Sequence, residues 1–82
     1  MNETSEDLRS AIHEISELLD RHRLPSARAA RERVLPQYPD DPELLLLAAW
    51  LSWYEDDASE ARHIVQRILQ IQPEHREAQY LL

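Results

Sequence analysis

The chain has no glycine, no cysteine and no lysine among its 82 residues. Each absence removes a class of function. Phosphate-cradling loops and dinucleotide fingerprints depend on glycine, so both are effectively excluded. Tight β-hairpins favour Asn-Gly or Asp-Gly, and neither dipeptide occurs. Without cysteine there is no disulfide and no thiolate metal site. Without lysine, all nine basic residues are arginine; sixteen acids outnumber them, for a net charge of -7. Phosphate repels such a surface, which argues against nucleic acid as the main partner. A membrane-spanning run is also missing. The longest apolar stretch, "LLLLAAWLSWY" from Leu44 to Tyr54, has eleven residues, with Ser52 its one polar side chain besides the tyrosine. A spanning helix needs about 20. The opening "MNETSED" is acidic and leads into no apolar segment, so no signal peptide is expected. These readings predict one small, soluble, cytoplasmic domain with no membrane contact.

What is present favours helix: alanine, leucine, glutamate and arginine dominate. Thr4 is placed to cap a first helix, with Asp7 three residues on. Leu8, Ala11, Ile12, Ile15, Leu18 and Leu19 then form one apolar stripe. Pro25 suits the first turn of a second helix, where a missing N–H costs nothing. Ala27, Ala30, Val34 and Leu35 are expected to face inward there, with Ala29 a further candidate, and Pro36 to Pro39 to end it. Asp41, Pro42 and Glu43 announce a third helix as cap, first residue and dipole partner. Asp57, with Glu60 three residues later, announces a fourth, carrying Ala61, Ile64, Val65, Ile68 and Leu69 and stopping before Pro73. "EHREAQYLL" begins a fifth.

A longer period organises these helices. Shifted by 34 residues, Ala27 meets Ala61, Arg28 meets Arg62, Arg33 meets Arg67, Leu35 meets Leu69, Pro39 meets Pro73 and Glu43 meets Glu77. Two helices per 34 residues, a small residue early in the second helix and a closing proline resemble the tetratricopeptide repeat. The usual tryptophan-leucine-glycine trio of the first helix is Leu45, Ala48 and Ala49 in the second unit. In the first unit it is Ala11, Glu14 and Ile15. The usual large residue of the second helix is Val65 in one unit and Arg31 in the other. The first unit is thus degenerate. The resemblance divides the chain into a tail at 1–7, a degenerate unit at 8–41, a second unit at 42–75, and the start of a third unit or a terminal helix at 76–82. It implies an all-α solenoid of antiparallel helix pairs, about five helices in all.

The resemblance also implies a binding surface, lined by the first helix of each unit. Leu46, Leu47, Trp50, Trp53 and Tyr54 fall there in the second unit. In the first unit the same positions hold Ile12, His13, Ser16, Leu19 and Asp20, and Tyr80 and Leu81 continue the surface. Tryptophan and tyrosine are enriched where binding energy concentrates. The expected function is protein–protein interaction without chemistry or cofactor: a peptide or protein partner with an apolar or amphipathic segment, or a second copy in a homodimer. The alternative is an N-terminal regulatory module of a larger enzyme or assembly protein. The lysine and asparagine clamp some members use for a partner's terminal carboxylate is absent, with Ile12, Ser16 and Leu47 in its place.

Other motifs carry less. Arg21, Arg23, Arg28, Arg31 and Arg33 cluster in one short segment. They read as a solvated helix face paired with nearby acids, and secondarily as an anion or nucleic-acid surface. His13, Glu14 and Glu17 approach HExxH, but glutamate stands where the second histidine belongs, so no zinc site is expected. Glu14 and Glu17 have no neighbour that would raise a carboxyl pKa.

Overall fold

The computed structural model describes residues 3–81, with side chains from residue 7 onward. Among the described residues the chain is all helical, without strands. Five α-helices follow in order: α1 (Glu3–Asp20), α2 (Leu24–Val34), α3 (Pro42–Tyr54), α4 (Ala58–Ile71) and α5 (Arg76–Tyr80). A short 3-10 turn, Leu35–Gln37, extends α2. Leu82 and the first two residues of the expected tail lie outside the described residues. The helix begins at Glu3, so Thr4 is inside it rather than capping it.

Local chemistry accounts for the helix starts. Asp41 accepts the Leu44 N–H at 2.9 Å, with Pro42 as the first helical residue of α3. Asp57 accepts the Glu60 N–H at 3.1 Å and opens α4. His75 caps α5 through Nδ1, which accepts the Ala78 N–H at 3.1 Å. Each satisfies a backbone donor that has no partner within its helix.

The helix ends are less ordinary. α1 closes with Arg23 N–H bonded to Leu18 C=O at 2.8 Å and His22 N–H to Leu19 C=O at 2.9 Å. α3 closes identically, Asp57 N–H to Ser52 C=O at 2.8 Å and Asp56 N–H to Trp53 C=O at 3.1 Å. This paired pattern is the Schellman motif, which needs one left-handed residue and usually takes glycine. A glycine-free chain uses His22 and Asp56 instead.

α1 pairs with α2, and α3 with α4. α3 also touches α1 and α2, and α5 rests on α4. α3 therefore separates two cores. Leu44 and Leu51 join Ala11, Ile15, Leu19, Ala27, Ala30 and Val34 in the first. Leu45 and Ala49 join Val65, Ile68 and Ala78 in the second. A helix buried on opposing sides must be apolar around most of its circumference, which explains the long run from Leu44. Its 13 residues cannot span a bilayer, and no helix among the described residues is long and apolar enough to do so. Leu35 packs against both cores. Ala29 is exposed, against the inward position considered for it.

Candidate functional site

Helical geometry turns one sector of α3 away from the fully buried residues of both cores. Leu46, Leu47 and Trp50 are half-buried there, Leu47 and Trp50 packed on the edge of the first core and Leu46 on that of the second. Trp53 and Tyr54 are 37% and 46% exposed. Between this sector and α1 lies an open groove of about 250 Å³. Leu47, Trp50 and Tyr54 come to it from α3, Ser16, Leu19 and Asp20 from α1, and Glu77 from α5. The Trp50 and Tyr54 rings stand 6.1 Å apart at 31°, and His22 meets Tyr54 edge-on at 5.5 Å. A second groove, of about 440 Å³, adjoins it through Glu77 and takes in Pro42, Glu43, Leu46, Gln72 and His75.

Of the residues expected on the binding surface, Leu19, Leu47, Trp50 and Tyr54 meet in the first groove and Leu46 lines the second. Ile12, Trp53, Tyr80 and Leu81 line neither. Ile12 packs on the first core and Leu81 on the second. Tyr80 projects at 90% exposure. Leu19 lines the groove but is only 7% exposed and also belongs to the first core. It follows Ile15 by one turn on the stripe that packs inward, so the same face that lines the groove also builds the core. Glu77 escaped sequence reasoning. Nothing local marks it, and it reaches the groove only because α5 folds back beside α3.

The arginine cluster does not assemble into one face. Arg21 pairs with Glu17 at 3.6 Å and Arg33 with Glu14 at 3.0 Å, both on α1. Arg28 and Arg31 reach instead to the α3–α4 hairpin. Arg28 Nε donates to both Glu55 oxygens at 3.0 Å, its terminal nitrogen bonds Glu55 again and reaches Glu60 at 3.1 Å, and Arg31 reaches Glu60 at 3.3 Å. The centre of this network is Glu60, whose Oε1 also accepts the hydroxyl proton of Ser52, fully buried on α3, at 2.8 Å. Hydrogen bonding from Ser52, then from Arg28, with the charges of Arg31 and Arg28, holds the Glu60 carboxyl below its ordinary range against the opposing effect of burial. Glu55 and Glu60 together hold the Arg28 guanidinium above its already high value. Arg31 Nε is buried without a hydrogen-bond partner. The single polar position in the apolar run was the only sequence signal for Ser52. The pairing across the hairpin had none.

No group of three or more His, Asp and Glu side chains is gathered as a metal ion would require, among the described residues. No protein-family model, no curated protein and no solved structure matches this chain.

Proposed function

We propose that the chain is a tetratricopeptide-like interaction module that binds an apolar or amphipathic segment of a partner protein along α3 and the neighbouring face of α1. Several observations support this reading. Helix boundaries recur at the 34-residue offset: α1 ends at Asp20 and α3 at Tyr54, α2 starts at Leu24 and α4 at Ala58, α3 starts at Pro42 and α5 at Arg76. The caps at Asp41 and His75 and the left-handed residues His22 and Asp56 recur at the same offset. Ala27 and Ala61, the matched small residues, are both fully buried. α1 and α3 lie side by side, as first helices of stacked units do.

The observation that carries the function is the outward sector of α3. Trp50 and Tyr54 line a groove from one short helix segment that also carries Trp53, and Trp53 and Tyr54 keep much of their surface in water. Large aromatic groups held at a concave surface are the usual anchors of a partner. The reading assigns no reaction to the chain.

The test is selection of binders from a displayed library of random dodecapeptides, followed by amide chemical-shift mapping. Selected peptides are expected to perturb α1 and α3, and Trp50→Ala to weaken them about tenfold or more while the helical signature persists. Failure to select any peptide, or shifts confined to α2 and α4, would overturn the reading. The exposed Ile71 and Tyr80 favour self-association as a second reading; light scattering across a wide concentration range distinguishes it, since a dimer would survive dilution.

A further inference from the structure

Among the described residues outside the grooves most carboxylates are occupied, Asp7, Asp56 and Glu74 being the exceptions. Glu14, Glu17, Glu32, Glu55, Glu60 and Asp40 hold arginines, and Asp41 and Asp57 cap helices. The side chains of Asp20 and Glu77 make no hydrogen bond or ion pair with any described residue. Both line the groove that Trp50 and Tyr54 enter, and none of the nine arginines lines it. Glu43, equally unpaired, lines the adjoining groove together with Glu77. The groove therefore brings apolar side chains, two aromatic rings and two unpaired carboxylates together.

Aromatic faces attract cations, and desolvation strengthens that attraction. A flanking carboxylate adds to it, and complementary charge steers the partner in. We propose that the partner segment is basic: an arginine or lysine of an amphipathic peptide enters this groove, its cation set against the rings of Trp50 and Tyr54 and between the carboxylates of Asp20 and Glu77. This inference rests on the docking reading above and names its partner's chemistry. A second copy of the chain suits the groove poorly, because both copies carry a net charge of -7.

The same dodecapeptide selection tests it. Peptides that dock in the groove are expected to carry arginine or lysine beside apolar residues. Replacing that residue by glutamine is expected to weaken binding about tenfold. The double variant Asp20→Asn with Glu77→Gln is expected to abolish the difference between the two peptides, and both residues lie on the surface, so folding should survive. Added salt should weaken the basic peptide more than its glutamine counterpart. Groove-binding peptides without basic residues would overturn this inference and leave the docking reading intact. Failure to select any peptide, or peptides docked elsewhere, would overturn both. A dimer with its interface shifts in the groove would replace the basic partner with a second copy and overturn this inference.

Discussion

His22 and Asp56 stand 34 residues apart and share one backbone state, with φ of 56° and 62°. Each closes the first helix of a hairpin, and each does so with a side chain where glycine would sit without strain. A left-handed residue with a Cβ costs roughly 1–2 kcal/mol, less for the short polar types that hydrogen-bond locally.

Asp56 is therefore the place to relieve strain. Asp56→Gly is expected to stabilise the chain by about 0.5–1 kcal/mol, the relief outweighing the extra freedom glycine brings to the unfolded state. Asp56→Val is expected to cost about 1–2 kcal/mol, since a β-branched residue tolerates this conformation worst. Urea denaturation measures both. Equal stability of the glycine and valine variants would show that the turn holds no strain.

The Ser52–Glu60 bond makes stability depend on pH. Glu60 titrates below its ordinary value of 4.5, so its contribution is complete above that value and is lost as pH falls through the depressed one. Glu60→Gln is expected to flatten the fall in unfolding free energy as pH drops below 4.5. An acid limb as steep as in the parent would place the acid sensitivity in other carboxylates.

Ser52→Ala is expected to cost about 1–2 kcal/mol, by removing a buried donor to a charged acceptor. Denaturation at neutral pH reads it. The helices should remain, because Arg28 and Arg31 still reach Glu60.

Arg28 and Arg31 bind the same carboxylate but should differ in worth. Arg31 is the more buried side chain, 12% exposed against 31%, and its Nε lacks a partner. Its counterpart at the 34-residue offset is the fully buried Val65. Arg31→Met is expected to be neutral or to stabilise by about 1 kcal/mol, since an apolar side chain of similar length removes an unmet donor. Arg28→Met is expected to cost about 1–3 kcal/mol by leaving Glu55 unpaired. Thermal and chemical unfolding of the pair decides it, and a larger loss at Arg31 would reverse the ranking.

Trp50 packs against the first core, whereas Trp53 does not and is 37% exposed. Trp50→Ala is expected to destabilise by about 2–3 kcal/mol, short of a fully buried tryptophan, and Trp53→Ala by less than about 1. Tryptophan emission of the single variants provides an independent check. The protein retaining only Trp50 should emit further to the blue than the one retaining only Trp53.

The sequence by itself determined the helices, because their signals are local. Asp41, Pro42 and Asp57 act within one turn, and the stripe from Leu8 to Leu19 is a matter of period. The 34-residue offset was legible for the same reason, as like residues at like spacing make like elements. Burial of α3 on opposing sides, Leu19 committed to the core, Ser52 drawn into an ion network, and Glu77 carried to a groove beside Asp20 were decided only by tertiary structure. Those relations join residues distant in the chain. They depend on how α3 packs against α1 and α2, where Ala27, Ala30, Leu44 and Leu51 share one core, rather than on the propensity of any one residue.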